Sequence, residues 1–249
     1  MEQTAQSTIS ASYPTPVLID GDTGYGGASN VRRTITNLAR LGAAAVTIED
    51  QAFPKRCTYA AGTGVRVVSR GECEKRMVAA LRARDEVWEE EGKEILVVAR
   101  TDCRAAEGME EVLERCVMFE GLGADVVYAE NLQSTEEYGR LRESLAGDTP
   151  MMLAQVQIGG SARSQDVLLS AEEVGELGYA LALFGVTPLQ ATVAALKRTA
   201  EVFLDGSSGA GGGGLVHDSS MVPLSTFSDV KDVVGFSHLD DWESKYGFD

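Results

Sequence analysis

Two pairs of carboxylates stand at the ends of two consecutive apolar runs. The first run reads Pro16-Val-Leu-Ile-Asp20-Gly-Asp22-Thr-Gly-Tyr-Gly26; the second reads Ala45-Val-Thr-Ile-Glu49-Asp50-Gln51, with Pro54-Lys-Arg-Cys57 close behind. Short apolar runs of this kind read as buried parallel strands. In a barrel of parallel strands, the carboxyl ends line the rim where the chemistry is done. Four acids on one rim repel each other unless a cation sits among them. Oxygen donors with no clustered histidine favour Mg²⁺ or Mn²⁺ over zinc. A thiol beside such an ion suggests proton chemistry at a carbon next to a carboxylate.

The elements that must position these groups follow a regular alternation. Strand-like runs fall at 17–20, 44–49, 95–100, 125–129, 151–156 and 180–184, with helical stretches near 28–42, 69–92, 108–122, 134–146, 171–178 and 187–204. Gly42, Gly123 and Gly178 stand just before strands, where a helix C-cap glycine is expected. Such alternation predicts an α/β fold with a parallel sheet and right-handed crossovers. The domain reading is a polar leader over 1–14, a barrel domain over 15–205, a Gly-rich linker over 206–216 and a helical segment over 217–249. The Gly206–Gly214 stretch lacks both a preceding strand and a Gly-Lys-Ser/Thr, so it reads as a connector rather than a phosphate loop. Beyond it, Phe227, Val230, Val233 and Val234 form the apolar face of a short helix.

A chain of 249 residues can bury a full core, and its formal net charge is −16. That charge argues against nucleic acid and against anionic membrane as partners. An anionic substrate would need local cations strong enough to outweigh the overall field. No run approaches the roughly 18 apolar residues of a membrane span, and the polar start carries no signal-peptide core. Cys57, Cys73, Cys103 and Cys116 show no CxxC spacing, which predicts reduced thiols and a cytoplasmic location. The last three read as packing residues on helices. His217 and His238, in the linker and tail, do not read as metal ligands.

Asp20-Gly-Asp-Thr-Gly-Tyr-Gly, Asn30-Val-Arg-Arg, Ile48-Glu-Asp-Gln, Pro54-Lys-Arg-Cys and Val98-Ala-Arg-Thr-Asp102 occur in this order. Together they resemble the isocitrate lyase/phosphoenolpyruvate mutase superfamily, in its 2-methylisocitrate lyase and oxaloacetate hydrolase-like branch. The resemblance implies a (β/α)8 TIM barrel, here incomplete because six strands are counted and the family's N-terminal strands are missing. It also implies a homo-oligomer, dimer or tetramer, whose C-terminal helices are exchanged between subunits. Mg²⁺ (or Mn²⁺) is the implied cofactor, stabilising enolate-type anions of small keto and hydroxy acids.

Carried over residue by residue, the resemblance makes Asp20, Asp22 and Glu49 the metal shell, part of it through water. Asp22 could instead simply cap the glycine-rich turn. The turn Thr23-Gly24-Tyr25-Gly26 is the candidate for the substrate carboxylate, because glycine lets backbone amides approach a ligand closely. Arg100, at a strand end, is placed to pair with a carboxylate or enolate oxygen; its alternative is a salt bridge to Asp102 or Glu49. Glu130 would orient Arg100 or a ligand. Cys57 stands where carbon–carbon lyases carry cysteine and phosphoryl mutases carry asparagine, and Lys55 and Arg56 beside it favour the thiolate. Thr58-Tyr59 replaces the lyases' Gly-His. Gln155 and Ile158 lie where lyases contact the substrate's far carboxylate, and Ile158 cannot make that contact. The expected function is a Mg²⁺-dependent carbon–carbon lyase or hydrolase acting on a small 2-hydroxy or 2-oxo di- or tricarboxylic acid. Two alternatives stay open: a phosphoenolpyruvate mutase or phosphonopyruvate hydrolase, and a truncated paralogue serving as a binding or scaffold subunit.

Overall fold

The structure, a computed structural model, describes residues 1–58, 64–156, 168–204 and 224–247. The Gly-rich linker and Ile158 lie outside them. In chain order the elements are α1 (Glu2–Ser12), β1 (Leu18–Asp20), α2 (Ala28–Leu41), β2 (Ala45–Glu49), α3 (Arg70–Glu91), β3 (Leu96–Thr101), α4 (Arg104–Glu107), α5 (Met109–Leu122), β4 (Val126–Ala129), α6 (Thr135–Ser144), β5 (Met151–Ala154), α7 (Ala171–Glu176) and β6 (Leu181–Leu183); then come α8 (Thr187–Leu204), α9 (Phe227–Val233) and α10 (Phe236–Tyr246). They fall into two compact units, 1–185 and 186–249.

In the first unit the six strands lie in the order β1-β2-β3-β4-β5-β6, and each pairs in parallel with the next. Nearest-neighbour order with a helix between most strands is the succession of a (β/α)8 barrel, two strands short of closure. The helices are specified locally. Val31, Ile35 and Leu38 recur at helical spacing and give α2 its buried face. Gly42, at φ +87°, ends α2 by turning its N–H back to the Ala39 carbonyl. Ser69, Ser134 and Ser170 cap the starts of α3, α6 and α7.

Alternation along each strand divides the side chains between two faces. Val46, Ile48, Val97, Ala99, Val127, Met151 and Leu153 join the main core with Ile35, Leu38, Met77 and Phe119 from the helices. Ala45, Val98, Val126, Tyr128 and Met152 form a separate cluster on the opposite face. Burying such a side chain contributes about 1.5–3 kcal/mol, so both faces bind the sheet. On the second face the register sets Glu49 beside Arg100, Arg100 beside Tyr128 and Tyr128 beside Met152. One layer of the sheet thus gathers Glu49, Arg100 and Tyr128.

The stretch read as a polar leader forms α1. It buries Ala5, and Glu2 accepts a hydrogen bond from Asn37 Nδ2 at 2.8 Å. Cys73, Cys103 and Cys116 are buried; burial pushes the Cys73 and Cys103 thiols up to about 12, which leaves them poor nucleophiles. Among the described residues no helix is long and apolar enough to cross a membrane.

Gly21 joins β1 to the turn that follows, and its N–H donates to the Thr47 carbonyl at 2.9 Å. A Cβ there would stand 2.7 Å from that same oxygen and 2.7 Å from Val46 Cγ2. Gly21→Ala is therefore expected to cost about 1–3 kcal/mol by forcing β1 away from β2. A lowered denaturation midpoint at unchanged slope checks this; an unchanged midpoint refutes it.

Candidate active site

The turn after β1 is wound tightly. Asp22 (φ +55°), Gly24 (φ +83°) and Tyr25 (φ +61°) all occupy the left-handed region. A Cβ on Gly24 would lie 2.5 Å from Val31 Cγ2, so the turn packs directly against α2. Left-handed backbone at Asp22 and Tyr25 costs roughly 1–2 kcal/mol per residue, and such strain concentrates at functional positions. Asp20 Oδ1 accepts the Asp22 N–H at 2.9 Å, and Asp22 Oδ1 accepts the Thr23 N–H at 2.7 Å. Asp22 therefore does cap the turn, and its second oxygen, Oδ2, faces Lys55 at 3.4 Å. Burial, then the Asp22 and Asp20 charges, raise the Tyr25 hydroxyl above its ordinary value.

Glu49, at the end of β2, is fully buried. Among the described residues neither of its oxygens accepts a well-directed hydrogen bond. Two cations approach instead as ion pairs, Lys55 Nζ at 3.1 Å from Oε1 and Arg100 Nε at 3.4 Å from Oε2. Burial, reinforced by the Asp102 charge, raises the Glu49 carboxyl to about 7. Arg100 is held on three sides. Its Nε and Nη2 each donate at 2.8 Å to Asp102, Nη2 lies 3.3 Å from Glu130 Oε2, and the guanidinium carbon sits 5.3 Å from the Tyr128 ring centroid. Burial works to lower the Arg100 pKa, but Asp102 and Glu130 outweigh it and keep the guanidinium ionised. Tyr128 donates its hydroxyl proton to Glu130, whose other oxygen accepts the Asn131 N–H. Both alternatives for Arg100, a bridge to Asp102 and one to Glu49, are thus realised, with Glu130 on its third side.

Asp50 does not share this site. Adjacent residues on a strand face opposite ways, so Asp50 turns to the helix side and pairs there with Arg115 Nη1 at 2.9 Å. The expectation of four acids on one rim is corrected to Asp20, Asp22 and Glu49, joined by Asp102 and Glu130.

The segment after β2 is a flap. An antiparallel bridge between Gln51 and Val67 pins its root, and Arg76 of α3 donates to the Glu49 and Gln51 carbonyls at 2.7 and 3.0 Å. Gln51 Nε2 and Thr58 Oγ1 both donate to Asp102 Oδ1, at 3.1 and 2.7 Å. Cys57, between the anchors Lys55 and Thr58, is the exposed thiol of the chain's four. Gln155 is differently employed. Its amide accepts the Leu169 N–H at 2.6 Å and donates to the Leu169 carbonyl at 2.9 Å. Those bonds tie the Gln155 amide to the Leu169 backbone.

Among the described residues no three histidine, cysteine or acidic side chains converge as a ready metal cage. The donor set nonetheless fits a hard cation. The carboxylates of Asp22, Glu49, Asp102 and Glu130 share two cations, Lys55 and Arg100. Among the described residues the buried Glu49 oxygens meet only the Lys55 and Arg100 ion pairs and no well-directed hydrogen bond, a demand a divalent ion also meets.

A family model described as phosphoenolpyruvate phosphomutase matches residues 2–204. The chain belongs to that family. It is 34% identical over 180 residues to 2-methylisocitrate lyase of Aeropyrum pernix, covering 72% of this chain and 53% of the relative. It is 29% identical over 231 residues to 2,3-dimethylmalate lyase of Eubacterium barkeri, covering 93% and 72%. The chain thus spans about half the length of the first relative. The solved structure of oxaloacetate acetylhydrolase with the inhibitor 3,3-difluorooxalacetate superposes with a TM-score of 0.80 at 27% identity, covering 100% of this chain and 77% of that one.

Within this member of the phosphomutase family, Asp20 and Glu49 end β1 and β2, Arg100 is the next-to-last residue of β3, and Asp22 and Glu130 lie just beyond β1 and β4. The sequence reading set Lys55 beside the Cys57 thiolate, whereas the ammonium lies against Glu49 and Asp22, and it assigned no contact to Thr58 or Tyr128.

Proposed function

We propose that this protein is a divalent-metal-dependent carbon–carbon lyase or hydrolase acting on a small 2-hydroxy or 2-oxo di- or tricarboxylic acid. The observation that carries the reading is the buried Glu49 carboxylate, without a well-directed hydrogen bond among the described residues, in one layer with Arg100 and across Lys55 from Asp22. The names of the matched relatives support the substrate class. Asp20, Asp22 and Glu49 would hold Mg²⁺ or Mn²⁺, which when bound supplies positive charge beside the substrate's carboxylate and neighbouring oxygen.

The turn Thr23–Gly26 offers backbone amides to that carboxylate. Arg100, fixed by Asp102 and Glu130, presents a preorganised positive charge to the anion that forms as the carbon–carbon bond breaks. Cys57 on the flap donates the proton that quenches the carbon left with the electron pair. Assembly as a homo-oligomer in the cytoplasm completes the proposal. The exposed Leu189, Val193 and Leu196 of α8 and Phe227, Val233 and Trp242 of α9 and α10 would then pack on another copy.

The test is product release from 2-methylisocitrate, 2,3-dimethylmalate and oxaloacetate with Mg²⁺ present. A chelator should abolish turnover and Mn²⁺ should restore it. Cys57→Ser should lower kcat by roughly 10²–10⁴-fold, with KM nearly unmoved; unchanged turnover removes the thiol from the reaction. A second reading, phosphonate chemistry, is favoured by the description of the family model. Phosphate release from phosphonopyruvate would support it. If no substrate turns over and no Mn²⁺ binds, a scaffold subunit is left.

A further inference from the structure

Lys55 stands out as a cation in an unusual place. Its Nζ lies 3.1 Å from Glu49 Oε1 and 3.4 Å from Asp22 Oδ2, bridging carboxylates from two neighbouring strand ends. We propose that the Lys55 ammonium and a divalent cation compete for this one position, so that metal uptake ejects Lys55 and the lysine sets how tightly the site holds its ion. The inference rests on the metal reading above and adds to it a residue that works against binding.

A magnesium ion draws its oxygens to about 2.0–2.1 Å. The oxygens facing Lys55 belong to two of the three carboxylates assigned to the metal. An ion bound to both would sit where the ammonium now lies, and two positive charges cannot share that space. One of the two local cations must leave. Arg100 cannot, because Asp102 grips it through two hydrogen bonds and Glu130 holds its other side. Lys55 can. Its side chain is 28% exposed, and its flexible four-carbon stem lets the head swing to solvent while the flap root stays bridged at Gln51 and Val67. In the metal-free protein the ammonium meanwhile restrains Asp22 and Glu49 from separating under their own repulsion. The lysine thus holds the two acids together until an ion replaces it.

Titration of the full chain with Mn²⁺, followed by calorimetry and by loss of the free-ion paramagnetic resonance signal, tests this. Lys55→Gln should bind Mn²⁺ at least about tenfold more tightly than the wild type. Lys55→Arg, which keeps the charge, should bind close to the wild type. Equal or weaker binding by Lys55→Gln overturns the competition while leaving the metal site standing. Failure of both wild type and Lys55→Gln to bind overturns the metal reading and the competition together. A second measurement needs no variant: Mn²⁺ should raise the rate at which an acetylating reagent modifies Lys55 in the wild-type chain. An unchanged or lowered rate overturns the proposal.

Discussion

Replacing Glu49 with glutamine is expected to stabilise the metal-free protein at neutral pH while removing most of its affinity for a divalent cation. The two effects share one cause. Burial holds the Glu49 carboxyl near 7 against an ordinary value of 4.5. Between those two values the folded protein keeps a proton that the unfolded chain has released. The stability linked to that proton is complete below about pH 4.5 and is lost as pH rises through about 7. The loss is on the order of 3 kcal/mol. Glutamine has nearly the same shape and no charge to desolvate, so the decline should flatten in Glu49→Gln. At pH 8 the metal-free variant should then melt roughly 5–10 °C above the wild type. Millimolar Mg²⁺ should reverse the order, since only the wild type gains stability from bound ligand. Loss of an outer-shell partner costs metal affinity roughly 10–100-fold, so loss of a direct ligand should exceed about 100-fold, and turnover should fall with it. Lower stability of the metal-free variant at pH 8 would make Glu49 a structural ion-pair partner and remove the case for a metal.

The strands were legible because each is a short apolar run with few competing signals. Leu96–Thr101 and Val126–Ala129 lie within a residue of where composition placed them. The long helices were legible from periodicity and their C-cap glycines. α1 was not, because Glu2–Ser12 has no apolar stripe and only Ala5 is buried. Its place depends on α2, which a local reading does not consult.

In the site, residues with strand alternation were legible. Arg100 and Asp102 fall on one face and Thr101 on the other, where its hydroxyl donates to Asp50 at 2.6 Å. The same rule separates Glu49 from Asp50, and counting the two as a rim pair overlooked it. Lys55 and Thr58 were illegible for a different reason. Their contacts depend on a flap whose root is closed by Gln51 and Val67, and nothing local in Pro54-Lys-Arg-Cys indicates that closure.

Asp50 and Arg115 supply the largest structural effect expected in the chain. Arg115, on α5, is 1% exposed and reaches Asp50 Oδ2 through Nη1 at 2.9 Å and Glu111 Oε1 through Nε at 2.7 Å. Asp50 also accepts the Thr101 hydroxyl at 2.6 Å and the Asp102 N–H at 2.9 Å. Removing one partner of a buried pair strands the other's charge, which costs about 3–5 kcal/mol. Arg115→Met should therefore lower stability by that amount in denaturant unfolding. Asp50→Asn added to it should recover part of the loss, because the orphaned charge is gone and the amide oxygen still accepts the Asp102 N–H, while the Thr101 hydroxyl must turn to accept from the amide NH2. The damage should reach the active site as well. The Asp102 N–H bonded to Asp50 fixes the end of β3, and Asp102 in turn clamps Arg100. Arg115→Met should accordingly weaken turnover even in the fraction that stays folded. A loss below about 1 kcal/mol would mean that the buried Asp50–Arg115 pair contributes little net stability, its attraction offset by the cost of burying the two charges.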